Sequence, residues 1–503
     1  MNIINPAEES MQRLGEKKAF IFEGKEYTNK WVIEKGKRMA AGLKSMGIGR
    51  GDHVVVSMPN CPEVFVVFHA VWRIGAVIIP IMFLLGEEET RHILEDSDGK
   101  VVITSRDLLE KIDKAREGIK HIRNVIVLGG KDEGDHVDFH GLINRNPEQQ
   151  DIEEMEKDGV ALMIYTSGTT GRPKGVMLTH NNLLANAGAA WKAGEFEKAM
   201  ITLVCLPLAH IFGISLFTAG SLNPYKEAFA VVMRWFDPEE IFRLIEKYQV
   251  NQFHGVPTMY QVMLTHPAAD KYDTSSLERC GIAAAPVTEQ LYSAFTTKFK
   301  CHMYEGYGLT ETSIVATCRP SMPIKKGSCG VPLDGVKVRI VDTEDNDVPL
   351  GVQGEILVRG ESVMKGYYKR PEETREALKG GWLHTGDVGY LDEENYLYIT
   401  DRLKDMIIKG GYNIYPSEIE GYLEGHPAIL EVAVIGIPDE KYGEDVMAFV
   451  VVKPGLQLTE EDVLTYARAR ITKFKMPSRV KFVVALPKTL TGKVQKKELR
   501  KMI

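Results

Sequence analysis

A large layered α/β portion, a β-rich stretch and a small α+β domain make up the architecture that this chain predicts, and three observations carry it. Helical and strand patterns alternate through most of the chain before Gly335. From Gly335 the texture changes to short strands of alternating polarity. Past Asp401 it changes again, to a charged hairpin-like stretch followed by mixed helices and strands. At 503 residues the chain also exceeds what one hydrophobic core ordinarily holds, so at least two domains are expected.

Each element follows from its pattern. The spacing predicts a helix over 31–46 ended at Gly47, and a strand over 53–58 closed by Pro59-Asn60. Segment 64–85 is apolar enough to suggest a membrane span, but it contains His69, Arg73, Gly75 and Pro80. An arginine at mid-bilayer costs roughly 2.5–3.5 kcal/mol. Gly75 and Pro80 divide the segment into a buried helix and the short strand Ala76-Val77-Ile78-Ile79. Val101-Val102-Ile103 and Val125-Ile126-Val127-Leu128 read as buried strands with a helix over 108–118 between them, which is the layering of a parallel sheet. Later, 336–341 and 354–359 read as short strands. A helix over 417–424, strands over 431–435 and 448–452 and a helix over 460–471 complete the small domain. The domain boundary is expected near Arg402–Lys404, giving domains 1–402 and 403–503.

Composition narrows the function. Hydrophobic content of 44% with 26% charged residues describes a folded globular chain, and a net charge of −7 argues against holding nucleic acid through phosphate neutralisation. Cys61, Cys205, Cys280, Cys301, Cys318 and Cys329 include no Cys-x-x-Cys pair, so a reduced, cytoplasmic compartment and no structural zinc are expected. The acidic N-terminus lacks the apolar run of a secretory signal. No transmembrane segment is expected, which leaves peripheral membrane contact open. The polar cluster Asp135-His136-Val137-Asp138-Phe139-His140 reads as a surface loop in preference to a metal site.

The chemistry concentrates at 165–175, Tyr165-Thr166-Ser167-Gly168-Thr169-Thr170-Gly171-Arg172-Pro173-Lys174-Gly175, directly after the apolar run Val160-Ala161-Leu162-Met163-Ile164. Glycines allow close backbone approach, four hydroxyls donate hydrogen bonds, and Arg172 and Lys174 add positive charge. A buried strand opening into such a loop suits a polyanion. A nucleotidase phosphate loop is excluded, because no Gly-Lys-Ser/Thr occurs in the chain.

This loop resembles the phosphate-binding loop of the adenylate-forming superfamily: acyl-CoA synthetases, luciferases and peptide-synthetase adenylation domains. Further segments match that family in its order. Tyr307-Gly308-Leu309-Thr310-Glu311-Thr312 resembles the central motif. The resemblance implies that Tyr307 stacks on adenine, Thr310 reaches the α-phosphate and Glu311 holds Mg²⁺. Alone, the same stretch reads as a helix N-terminus capped by Thr310. Ala283-Ala284-Ala285-Pro286 resembles the loop against adenine, with Ala283 in place of the usual glycine; Glu305 is a milder departure. Pro207-Leu208-Ala209-His210-Ile211-Phe212-Gly213 resembles the segment whose histidine borders the acyl pocket, although a lone histidine in apolar sequence is more often a core residue.

In the family, His384-Thr385-Gly386-Asp387 supplies the carboxylate that takes both ribose hydroxyls. Asp401-Arg402-Leu403-Lys404-Asp405 supplies Arg402 to the ribose and Lys404 as a hinge. The resemblance also implies that Gly411 borders the pantetheine tunnel and that Lys493, in Thr491-Gly492-Lys493, is the adenylating lysine. Alone, 384–387 is an ordinary turn, and 401–405 and Lys493 are solvated charge.

The resemblance implies an ATP- and Mg²⁺-dependent ligase that passes a carboxylic acid through an acyl-adenylate to coenzyme A, with a mobile small domain. It is most like the fatty-acid and coumarate branch. In acetate-specific relatives a bulky indole shortens the pocket at the position of Gly308, so glycine is expected to admit a longer or aromatic acid. The other readings are an enzyme that loads a carrier-protein phosphopantetheine, a luciferase-like oxygenase and a non-catalytic nucleotide-binding regulator. No carrier domain follows Ile503, and Glu311, Asp387 and Lys493 are all present, which weighs against the first and last of these. A homodimer is compatible with the resemblance.

Overall fold

In the computed structural model, residues 1–166, 172–410, 412–468, 471–488 and 494–503 are described. The chain divides into two compact units: 1–283, 287–337 and 358–383 form the first, and 284–286, 338–357 and 384–503 the second.

Two sheets organise the first unit. One runs, in order, Gly366–Tyr367, Lys174–Thr179, Val160–Thr166, Val77–Pro80, His53–Ser57, Val101–Ser105, Asn124–Leu128 and His136–Asp138. From Val160–Thr166 onward its neighbours are parallel, whereas Lys174–Thr179 and Gly366–Tyr367 are added antiparallel. Its inner strands are covered on both faces, which is why they read as unbroken apolar runs. The other sheet runs Val331–Pro332, Ser313–Thr317, His302–Leu309, Arg279–Ile282, Gln252–Gly255, Ile201–Val204, Phe229–Val232, Lys18–Phe22 and Lys25–Thr28. Its middle strands are parallel and its ends antiparallel. Tyr260, Phe253, Phe295 and Phe299 fill the core beneath it.

Local chemistry explains the element ends. The helix Asn29–Ser45 starts where the Thr28 hydroxyl accepts from the Trp31 amide, and it stops before Gly47, which has φ +76°. Segment 64–85 resolves as anticipated into the helix Pro62–Arg73 and the strand Val77–Pro80. Among the described residues no helix is long and apolar enough to cross a membrane.

Arg73 is buried with 2% of its side chain exposed, and its charge is answered at once. Its Nη1 lies 2.5 Å from Glu8 Oε1, its Nε donates to the Gln149 carbonyl at 2.7 Å, and its Nη2 donates to the Gln150 carbonyl. Burial works to raise the Glu8 carboxyl, but hydrogen bonds and charge from His69 and Arg73 outweigh it and hold the group down to about 2. Burial drives His69 toward its neutral form, so the permanent charge of Arg73 is the partner that counts. Removing one member of such a pair strands the other charge. Glu8→Gln is expected to lower the unfolding free energy of the first unit by about 3 kcal/mol, read from its denaturant midpoint. The pH sign follows from the depressed folded-state value. The contribution is complete above about 4.5, the ordinary value, and is lost as pH falls toward about 2, so parent and variant should converge in acid.

The cluster at 135–140 is not a loop. His136–Asp138 is an edge strand, and Phe139–Arg145 is a helix capped by Asp138, whose carboxylate accepts from the Gly141 amide at 2.6 Å. Two turns are too few for the helical period to show in sequence. Arg116 binds Asp113 at 2.8 Å and Asp135 at 2.5 Å, and His136 Nε2 meets Asp113 at 3.1 Å. Among the described residues no group of three or more such side chains is arranged for a metal.

Most of a four-stranded sheet, Lys337–Val341, Gly354–Arg359, Leu383–Leu391 and Leu397–Arg402, belongs to the second unit. So does a five-stranded sheet built on the long hairpin Ile429–Asp439 and Gly443–Val452, with Ile407–Lys409, Tyr412–Ile414 and Arg479–Phe482 paired beside it. Alternation along Ile429–Asp439 sends Val432 and Val434 to the face covered by Ile419, Leu423, Val463 and Ala467. Ala433, Ile435 and Ile437 go to the face covered by Leu486 and Leu499. These strands outrun the expected 431–435 and 448–452, because polar residues at the hairpin end keep pairing after the apolar signal stops. The helix Glu460–Arg468 falls within the expected 460–471, of which 469–470 lie outside the described residues. The mixed α/β class, with a large N-terminal and a small C-terminal part, is what the sequence predicts.

Candidate active site

In the first unit the strand Val160–Thr166 is answered antiparallel by Lys174–Thr179, and Thr166 faces Lys174 across the pair. Ser167, Gly168, Thr169, Thr170 and Gly171 lie outside the described residues. The Lys174 ammonium, with 15% of its side chain exposed, is ion-paired with Glu373 and stands 5.3 Å from the centre of the Tyr367 ring.

Residues 307–312 form a hairpin, not a helix start capped by Thr310. The strand His302–Leu309 turns at 310–312 and returns as Ser313–Thr317, with Tyr307 opposite Ala316. Thr312, two residues further on, supplies the local bond: its hydroxyl accepts from the Leu309 amide at 3.3 Å. The buried Asn186 side chain donates to the Ile314 carbonyl at 2.7 Å, tying the hairpin to the helix His180–Ala193. Tertiary pairing thus overrides a stretch that local sequence reads as helical. Half-buried Glu311 accepts from the Tyr367 hydroxyl at 3.0 Å, and its own carbonyl accepts from the Met364 amide at 2.8 Å. One carboxylate is a donor set that fits Mg²⁺, which takes the rest of its shell from water and substrate phosphates. Burial pushes the Glu305 carboxyl up to about 7, so this departure from the usual motif titrates near neutrality.

Gly308 does not simply leave room. A Cβ there would lie 2.1 Å from the Ser313 carbonyl oxygen, across a register shift at Tyr307/Gly308. A side chain at this position meets two backbones before it meets any space beside the hairpin.

His210 is the cap of the helix Ile211–Gly220, with Nδ1 accepting from the Phe212 amide at 3.2 Å, and it is half-buried. Buried Asn60 fixes the segment before it, accepting from the Leu208 amide at 2.9 Å and donating to the Leu206 carbonyl at 3.0 Å. The Phe212 ring stands 6.3 Å from that of His254, whose imidazole burial holds down to about 4.

In the second unit Ala284 has φ +77°, a left-handed conformation held by a non-glycine residue. Asp387 and Arg402 face each other across the hairpin Leu383–Leu391 and Leu397–Arg402, and Arg402 Nε lies 2.8 Å from Asp387 Oδ1. Asp387 is buried at 3% exposure. Glu355 organises the turn before it, taking the Gly386 amide at 3.0 Å and His384 Nδ1 at 3.0 Å, while the Thr385 hydroxyl accepts from the Asp387 amide at 3.1 Å. Lys404 is exposed in the 3₁₀ turn Leu403–Asp405. Gly411 and Lys493 lie outside the described residues; Lys488 and Val494 form an antiparallel bridge.

Three residues escape sequence reasoning: Tyr367, Glu373 and Glu355. Each sits in ordinary strand or helix-start sequence, and only long-range pairing brings it to a motif residue.

Motifs of this kind, set in this order on a large and a small α/β unit, define an adenylate-forming ligase. Residues 7–368 match the model of the AMP-binding enzymes, and residues 418–493 match that of the AMP-binding enzyme C-terminal domain; the chain belongs to this family of AMP-forming acid–thiol ligases. It is 35% identical to a long-chain-fatty-acid–CoA ligase of Bacillus subtilis, over 98% of this chain and 92% of that one. It is 37% identical to a feruloyl-CoA synthase of an Amycolatopsis species, over 92% and 91%. Among solved structures, ATP-bound MatB from Rhodopseudomonas palustris superposes with a TM-score of 0.92 at 30% identity, covering 100% of this chain and 99% of that one.

Proposed function

We propose that the chain is an ATP- and Mg²⁺-dependent ligase that joins a fatty or aromatic carboxylic acid to coenzyme A. The observation that carries the residue assignment is the convergence of Lys174 and Glu311, far apart in the first unit's sequence, on one side chain, Tyr367. Relatives that act on long-chain fatty acids and on ferulate support the substrate class.

A carboxylate is a poor acylating agent because it would have to expel oxide. In the first half-reaction it attacks the α-phosphorus of ATP, and pyrophosphate leaves. Residues 166–171 and Lys174 bind the β- and γ-phosphates, Thr310 reaches the α-phosphate, and Lys493 spans carboxylate and α-phosphate oxygens. Mg²⁺, held by Glu311, would neutralise phosphate charge. Tyr307 and Ala284 border adenine, Asp387 and Arg402 take the ribose, and His210 borders the acid. In the second half-reaction the thiol attacks the acyl carbon and AMP leaves. For that step the small domain, 403–503, turns about Lys404 and brings Gly411 beside the thiol path. Six free cysteines support a reducing, cytoplasmic setting.

The test is AMP release across acetate, octanoate, palmitate, benzoate and coumarate, with and without CoA. Turnover is expected for the longer or aromatic acids and only with CoA. Turnover with a phosphopantetheinylated carrier protein but not with CoA would favour the carrier-loading reading; none with any acid would overturn the assignment. For the hinge, Lys404→Pro fixes φ near −65°. Adenylation should survive and thioester formation fail, and equal activity in both steps would remove Lys404 as the pivot.

A further inference from the structure

Lys174 already has a partner, and that partner is an anion. The segment 364–368 is laced along the strand Lys174–Thr179: the Lys365 amide donates to the Met177 carbonyl at 2.9 Å, and the Tyr368 amide to the Gly175 carbonyl at 2.8 Å. The Tyr367 amide donates to the Thr374 hydroxyl at 2.9 Å, which fixes the first turn of the helix Pro371–Ala377 against the strand. That turn carries Glu373 to the Lys174 ammonium. The other nearby cation, Arg370, is 3.9 Å from Glu373 but binds Asp96 at 3.0 Å, and Asp96 in turn accepts from the Tyr165 hydroxyl at 2.8 Å. Lys174 is therefore the cation that Glu373 chiefly answers.

A largely buried ammonium without a counter-ion is unfavourable, so Glu373 offsets its charge before nucleotide arrives. Once the β- and γ-phosphates reach Lys174, the same carboxylate becomes a like charge beside them. Glu373 keeps 34% of its side chain exposed, on the first turn of a surface helix, so it can swing to water without unfolding anything. We propose that Glu373 is an exchangeable counter-ion: it positions the Lys174 ammonium in the nucleotide-free protein and is displaced by the terminal phosphates of ATP. It thereby sets how strongly the site favours a triphosphate over a monophosphate. This rests on the assignment of Lys174 to the phosphates.

Equilibrium binding by calorimetry, without acid or CoA, tests it. Glu373→Gln and Glu373→Ala should tighten Mg²⁺-ATP by about two- to fivefold, the range of a partly exposed ion pair. AMP, which lacks the β- and γ-phosphates, should bind as in the parent. Unchanged or weakened ATP binding, or an equal change for AMP, in protein with parental melting behaviour, would overturn the exchange while leaving the ligase reading in place. A parent chain that binds neither nucleotide would overturn both.

Discussion

Lys493→Ala is expected to lower acyl-adenylate formation by about 10²–10³-fold, the loss that follows removal of one preorganised charge stabiliser from a transition state. Charge moves from the attacking carboxylate onto phosphate oxygens in that step, and a cation spanning both groups is worth most where charge is shared. Thioester formation from preformed acyl-AMP has no such demand, because the leaving group is AMP and the nucleophile a thiol. That half-reaction should stay within a few-fold of the parent. The anchoring of the residues that flank 489–493 favours a clean result. Lys488 and Val494 form an antiparallel bridge, the Gln495 amide donates to the Pro487 carbonyl at 2.8 Å, and Lys488 pairs with Glu431 at 2.8 Å. Truncating one side chain should therefore leave the small domain intact. Pyrophosphate release with acid and ATP reads the first step, and CoA consumption with synthetic acyl-AMP reads the second. An equal loss in both, in folded protein, would mean that Lys493 is not specific to adenylation.

Much of the fold was legible because burial writes itself into sequence. His53–Ser57, Val101–Ser105 and Asn124–Leu128 are apolar runs because their sheet is covered on both faces, and Gly47 and Gly75 mark ends where φ turns positive. What failed to show was long-range pairing. The stretch 307–312 has the local look of a capped helix start, yet the strand Ser313–Thr317 and Asn186 make it a hairpin. Likewise Asp135 and His136 look like loop or metal ligands until Arg116 and Asp113 are brought to them from another element. At the site, motif residues announce themselves by composition, but their supports do not. Glu355 beneath the 384–387 turn, and Tyr367 between Lys174 and Glu311, are common residues in common settings whose roles exist only in the folded chain.

Gly308 gives the sharpest case, because sequence resemblance and structure predict different outcomes for the same substitution. If Gly308 opened a channel for the acid, Gly308→Trp would close it, and activity would fall with acid length by about 0.8 kcal/mol for each CH₂ left unburied. The hairpin geometry predicts otherwise. The first atom of any side chain would lie 2.1 Å from the Ser313 carbonyl oxygen and 3.1 Å from the Ile314 Cα. Both are backbone, so no rotamer change relieves the contact, and the two strands must separate. Tyr307 and Glu311 sit on either side of that contact, which makes the damage fall on ATP. Even Gly308→Ala should therefore raise the KM for ATP and lower the melting temperature of the first unit, at about 1–3 kcal/mol for forced overpacking. Gly308→Trp should do more of the same. Losses in kcat/KM for acetate, octanoate and benzoate should be equal within a few-fold. Full ATP affinity in Gly308→Ala, or a Gly308→Trp loss confined to octanoate and benzoate, would restore the channel and place the acid's tail beside this glycine.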